Sequence, residues 1–497
     1  MAALILWPLL ATLAQAGPAV YDVTASPSES VNEGGSPGLK QAKLSDTRSI
    51  ACYTDYSAGN GSARGKCSLM EIVGGSIEKL GDVVFEDATV VPQSISVAAF
   101  SENDVIVCFT GVTQHVICNL VSIDNTDLAL EDSVEIDNES IGSTYVAVAK
   151  MASTSGVVCY SCAGCATAAE GKCSKLSLVS GSDLDAGNPV SFTDGQTASH
   201  IAIEPLEAEE MAVLCYNEGG SARCVLLDDT GAPVPGTAST FFESDEADFG
   251  SITTNTIGDY GMVCFTDSED NGNFAACKTY QVVSEMLVLN ANYTIVSDSD
   301  ASSLQVATLS DENGIVCYVD LNTELADVNG QAGPATCKVL SVDGGELSFG
   351  PPNVVNDQTE YFSLVGLSAQ ATSMCYSDDG AGGAACVSLN MAETTTTQTS
   401  TDTRTSTSTM TASETTGTSN TLSTSSSGTS TTSATTDTST TSPHTTTVTQ
   451  TTTSPHTTTV TSITETTVST TMELSLSVSP ASLSAAALLA VVLGAVA

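Results

Sequence analysis

Unbroken apolar runs, rather than alternating ones, punctuate this chain. Seven times a mostly aliphatic stretch runs into Cys and then directly into an aromatic residue: Ile50-Ala51-Cys52-Tyr53, Ile106-Val107-Cys108-Phe109, Val157-Val158-Cys159-Tyr160, Val213-Leu214-Cys215-Tyr216, Met262-Val263-Cys264-Phe265, Ile315-Val316-Cys317-Tyr318 and, more loosely, Ser373-Met374-Cys375-Tyr376. Each is answered by a second Cys, in turn Cys67, Cys118, Cys173, Cys224, Cys277, Cys337 and Cys386. The mean period is about 54 residues, near the repeat lengths of propeller blades. Within a unit, polar clusters separate four short apolar segments, which in the second unit are Ile95 to Phe100, Val105 to Phe109, His115 to Ile123 and Leu128 to Ile136. A unit of this length is too short for an immunoglobulin-type sandwich of roughly 100 residues and suits one four-stranded blade. The pattern predicts an all-β, seven-bladed β-propeller.

The Cys pairs have a geometric reading in that frame. Cys and the adjoining aromatic are neighbours in a strand, so they point to opposite faces of the sheet. Each face of a blade packs on another blade, which lets both be apolar and explains the unbroken runs. The second Cys follows a turn, where the returning antiparallel strand passes and opposed Cβ atoms come within disulfide reach. One disulfide per blade is expected, and the aromatics Tyr53, Phe109, Tyr160, Tyr216, Phe265, Tyr318 and Tyr376 are expected between blades. The seventh unit supplies only three strands, ending near Leu389. Ala19 to Ala25 is expected to complete it, closing the ring and removing open sheet edges.

Composition places the chain. Its 16 Cys all lie between Cys52 and Cys386, and an even, regularly spaced set reads as a disulfide framework of an oxidising compartment. Residues 1–16 read as a secretory signal peptide, without the usual basic residue before the apolar stretch. Residues 17–390 are the expected propeller. Residues 391–471 are almost entirely Thr and Ser and read as a disordered, O-glycosylated stalk. Residues 472–497 combine a polar spacer with a short apolar tail that has no basic residue after it. That fits a glycolipid (GPI) attachment signal better than a membrane span of about 20 residues, with Ser469, Ser475 and Ser477 as candidate attachment residues. The expected location is the extracellular face of the plasma membrane, or secretion.

Charge narrows the partners. Six of the 58 acids and one of the 13 bases fall after residue 390, leaving 52 acids against 12 bases in the propeller region. Such a field disfavours nucleic acid and anionic lipid. Cations suit it better, and Asp267, Glu269, Asp270 and Asn271 form a candidate calcium loop, although their spacing is not that of an EF-hand. Asp55, Asp267, Asp320 and Asp378 recur two or three positions after the first Cys, where an Asp can bond its own turn. The surplus pair Cys162 and Cys165 could be a redox dithiol or a metal site, but in an oxidised domain an extra loop disulfide is the expectation. Sequons at Asn60, Asn138 and Asn292 are candidate glycosylation sites. His115 and His200 are the propeller's two histidines, and neither sits in a nucleophile or metal motif. No catalytic residue and no cofactor other than calcium is expected.

The Cys-aromatic repeat followed by a Ser/Thr-rich segment resembles cell-surface β-propeller ectodomains carried on stalks, over Gly17 to Ala497. The resemblance is architectural. It implies recognition of an extracellular glycan or protein, or adhesion, through loops at one face of the disc, with the membrane reached through the C-terminal anchor. A structural coat glycoprotein without a specific ligand is the second expectation, and an extracellular hydrolase the third.

Overall fold

The computed structural model describes residues 20–394 apart from 33–37, 58–62, 88–92, 112, 138–144, 163–169, 180–181, 207–209, 244–248, 268–273, 291–293, 298–299, 322–331 and 379–382. The chain divides into two compact units, Met1–Thr395 and Thr396–Ala497, and the second lies outside the described residues, as do the expected signal peptide, the expected tail and the expected stalk from residue 395 onward.

Seven antiparallel sheets make a seven-bladed β-propeller, each with the strand order inner, second, third, outermost. Blade 2 shows why. Its four strands, Gln93–Ala99, Asp104–Thr110, Val116–Asp124 and Asp127–Asp137, coincide within a few residues with the four apolar segments of the second unit. The second strand is buried on both faces, whereas the outermost, with its alternating acids, is largely exposed. In blades 3, 5 and 6 the outermost strand is split into two short pieces, both paired to the third strand.

The seventh blade is completed by the start of the domain. Val20–Ala25 pairs antiparallel with Gly383–Thr394, placing Val20 opposite Thr394 and Ala25 opposite Leu389. A second piece, Glu29–Asn32, extends the same ladder from Cys386 to Ala384. The sequence pattern alone does not reveal that second piece. The last strand runs to Thr394, beyond residue 390, and Met391 within it is buried in the blade 6–blade 7 core.

Seven disulfides follow from the register. Cys52 stands directly opposite Cys67, and the same holds for Cys108–Cys118, Cys159–Cys173, Cys215–Cys224, Cys264–Cys277, Cys317–Cys337 and Cys375–Cys386. All seven pairs are bonded, with Cα atoms 4.0 to 4.1 Å apart, and all are fully buried. The number of such bonds suits an oxidising, extracellular-type compartment. Cys162 is also disulfide-bonded, while Cys165 lies outside the described residues.

Strand parity then interlocks the blades. The Cys of each motif faces the following blade and the aromatic faces the preceding one, so each aromatic lies in one apolar cluster with the preceding blade's disulfide. Phe109 clusters with Cys52 and Cys67, Tyr160 with Cys108 and Cys118, and Tyr216 with Cys159 and Cys173. Phe265, Tyr318 and Tyr376 repeat this against blades 4, 5 and 6. Tyr53 of blade 1 meets Cys375 and Cys386 of blade 7, closing the circle. A further aromatic from the preceding blade joins at three seams: Phe85 lies 5.0 Å from Phe109, Phe192 4.9 Å from Tyr216, and Phe241 5.4 Å from Phe265. Gly65 and Gly171 make room for two of these rings, since a Cβ at either would sit 2.3 or 2.2 Å from Phe85 or Phe192.

Two predictions follow from this packing. Replacing either Cys317 and Cys337 or Cys215 and Cys224 by Ala removes a buried bond and costs on the order of 2–4 kcal/mol. Because the sequence separations are 20 and 9, the chain-entropy model makes the first pair costlier by roughly 0.7 kcal/mol, and denaturant midpoints of the two double variants check the order. The second concerns alkali. Burial, assisted by the charge of Glu218, pushes the Tyr216 phenol up to about 12, above its unfolded value of about 10. Burial also raises Tyr53 and Tyr280. A raised phenol pKa gives stability that is complete below about pH 10 and lost as pH climbs through the folded value. Ultraviolet titration should therefore show a set of tyrosines ionising only together with unfolding, and free titration of every tyrosine near pH ~10 in the folded protein would contradict it.

Candidate functional site

The two ends of the disc differ. One carries the first-to-second and third-to-outermost connections, which are tight in most blades, such as Gly258–Asp259, Ala369–Gln370 and Gly74–Gly75. The other carries the second-to-third connections and the crossings between blades. These vary from Gly219–Gly220 in blade 4 to Leu321–Ala332 in blade 6. This is the loop face.

The strand order sends most of the sequence-marked segments to that face. Asn60 belongs to the second-to-third connection of blade 1, Asn138 to the crossing from blade 2 to blade 3, and the Cys162–Cys165 segment to the connection of blade 3. Asn292 instead falls between the two pieces of the outermost strand of blade 5. All three sequon asparagines lie outside the described residues. Of the candidate calcium loop, Asp267 ends the second strand of blade 5 and pairs with Phe274, while Glu269, Asp270 and Asn271 lie outside the described residues. Among the described residues no group of three or more His, Cys, Asp or Glu could hold a metal ion. Asp55 has the local role its position suggests: its carboxylate accepts the Ser57 backbone N–H at 2.7 Å. Burial works to raise that carboxyl, and the hydrogen bonds from Ser57 and Asn32 together with the Lys66 charge hold it below the usual value.

Polar chemistry concentrates behind the motif tyrosines. Opposite Tyr53, Tyr160 and Tyr216 on the third strand stand Lys66, Lys172 and Arg223, whereas Phe109 and Phe265 face Ile117 and Ala276. The Tyr53 hydroxyl lies 3.0 Å from Ser68 Oγ, which donates to Asp82 Oδ1 at 2.5 Å, and Lys66 and Lys79 both pair with that carboxylate. Desolvation opposes ionisation of Asp82, but bonds from Ser68, Lys79 and Lys66 keep its pKa below the usual range. The Tyr160 hydroxyl donates to the buried Asp137 at 2.9 Å, with Lys172 3.3 Å from the same oxygen. Arg223 pairs with the buried Glu218 at 2.8 Å. Each buried charge is met, as burial requires. The Tyr160 and Lys172 contacts with Asp137 tie blade 3 to blade 2, whereas the Asp82 and Glu218 contacts lie within blades 1 and 4.

A cleft of about 200 Å³ between blades 5 and 6 is lined by Thr279, Asn290, Thr294, Gly345 and neighbouring residues. Another of about 140 Å³ lies between blades 6 and 7, lined by Leu309, Asn313, Gln370 and Met391 among others. Both fall below the roughly 300 Å³ at which small-molecule pockets begin.

His200 of the blade 4 inner strand lies 4.8 Å, ring to ring, from Tyr145, which leads into the blade 3 inner strand, and its Nε2 is 3.3 Å from the tyrosine oxygen. Sequence reasoning has no signal for this contact, because the two residues meet only through blade order.

No family model matches the chain, and no curated protein matches it. Among solved structures it is similar to the β-propeller domain of Myceliophteria thermophila Cps50 (Swd1), at 9% identity and a TM-score of 0.43 over 74% of this chain and 100% of that one. It is also similar to a protein from Lactobacillus plantarum, at 14% identity and a TM-score of 0.41 over 65% of this chain and 86% of that one.

Proposed function

We propose that this propeller is an extracellular recognition or adhesion module that engages a glycan or protein ligand at its loop face. The observation that carries this reading is the asymmetry of the disc: tight turns predominate at one end, and connections of very unequal length converge at the other. Loops set on a rigid scaffold are where binding specificity is commonly built. The last strand delivers the chain to the turn end, where Val20 and Thr394 pair. The Ser/Thr-rich composition after Glu393 supports a glycosylated stalk following the domain. A coat glycoprotein, in which the stalk is the useful part and the propeller a stable spacer, is the second reading. Seven buried disulfides, which suit a durable spacer, support it.

The two readings separate in a binding screen. The soluble disulfide-bonded domain, extended through Thr394 to keep the last strand whole, is presented to arrays of extracellular glycans and matrix proteins with calcium and again with chelator. Saturable binding to one ligand class, lost when loop-face connections are exchanged but kept when Ala369–Gln370 is altered, is the expected result. Loss with chelator would assign the Asp267 to Asn271 loop a metal role. No binding in either condition would leave the coat reading standing.

A further inference from the structure

The wall of the central channel has the opposite electrostatic character to the rest of the domain. Its seven inner strands are Lys40–Lys43, Gln93–Ala99, Val146–Ala152, Ala198–Leu206, Phe249–Ile257, Ala301–Thr308 and Phe362–Ser368. Together they contain Lys40, Lys43, Lys150 and His200 but a single acid, Glu204. Elsewhere acids outnumber bases more than fivefold.

Lys40 is the distinctive member. The other cationic side chains of the propeller are all engaged: Lys43 with Asp46 and the Leu367 carbonyl, Arg48 with the Asn125 carbonyl, Arg64 with Asp87, Lys175 with Asp229, Lys278 and Lys338 with the carbonyls of Phe241 and Val296, and the rest with the partners above or with others. Lys40 has no acceptor among the described residues. It stands opposite Cys52, near the loop-face end of its strand, and so issues toward blade 2. It is partly exposed, yet lack of hydration lowers its ammonium pKa, with no carboxylate among the described residues to compensate.

The two adjacent seams show one use of this position, which in blades 3 to 6 is held by Ala147, Ala202, Thr253 and Gln305. Ser96 and Ser363 hold the equivalent place in blades 2 and 7, opposite Cys108 and Cys375. Their hydroxyls accept the backbone N–H of the next inner strand, from Val148 at 3.0 Å and Gln41 at 2.9 Å. Lys40 brings a donor where these two serines bring an acceptor, and the matching N–H in blade 2, that of Val97, is a donor as well. We infer that the axial edge of the blade 1–blade 2 seam is a binding site for a small oxyanion, the carboxylate or sulfate group of an acidic extracellular ligand, held by Lys40. Around this point the strongly acidic exterior would exclude anions in general, so only a group carried into the channel mouth by a larger ligand or supplied at high concentration reaches it. The inference deepens the loop-face reading and rests on it for the ligand's source, not for the site.

Its test uses the whole disulfide-bonded protein with lysines isotopically labelled by reductive methylation and followed by NMR. Inorganic sulfate and acetate are titrated separately at constant ionic strength against chloride. The Lys40 signal, identified by its absence in Lys40→Arg, should move saturably with one or both anions. In Lys40→Met the affinity should fall about tenfold or more, while Lys43→Met at the other end of the strand leaves it unchanged. A Lys40 signal in the unmodified sequence that is indifferent to both anions overturns the site whatever the variants do. The ligand screen is independent: a ligand that binds Lys40→Met undiminished would leave the loop-face reading intact and remove the anion contact from it.

Discussion

The parity of two adjacent residues organises this molecule. Because Cys and aromatic are neighbours on a strand buried on both sides, one must point clockwise and the other anticlockwise around the axis. The Cys closes a bond within its own blade, and the aromatic covers the bond of the blade before. Seven repetitions make a closed cycle in which each covalent link lies beneath a ring from next door. No blade is packed independently of its neighbours.

The choice between Tyr and Phe at the motif position extends this constraint into electrostatics. A phenol drawn into an interior needs a partner for its hydroxyl, and Tyr53 and Tyr160 find theirs in the serine, aspartate and lysine groups brought in by the opposing and outermost strands. Phe109 and Phe265 need none and face apolar residues instead. Part of the small cationic complement of this acidic domain is committed to carboxylates across seams, as where Lys172 of blade 3 meets Asp137 of blade 2 and Lys175 of blade 3 meets Asp229 of blade 4.

Much of this was legible in the sequence because the signals are local. Cys-aromatic adjacency fixes face, and the spacing to the second Cys fixes the hairpin. The count of strands in the last unit fixes the need for Val20–Ala25. What stayed hidden depends on blade order. The approach of Phe85 to Phe109 and of Phe192 to Tyr216 was foreshadowed only by Gly65-Lys66-Cys67 and Gly171-Lys172-Cys173, repeats whose glycines make sense once the ring above them is seen. The contact of Tyr145 with His200 and the isolation of Lys40 carry no sequence mark, since both are properties of neighbours more than fifty residues away or of partners that are missing.

The pairing of Val20–Ala25 with Gly383–Thr394 also sets an order of events during synthesis. The first strand to leave the ribosome has its partner at the far end of the domain, so it must wait while six blades form, its hydrogen-bonding edge unclaimed. Closing so long a loop adds little thermodynamic penalty, since the entropy grows only logarithmically with length, but it makes the final step all-or-nothing. Until Thr394 has emerged the disc is an open arc with two raw seams. Both ends of that arc must be shielded until the last strand is in place.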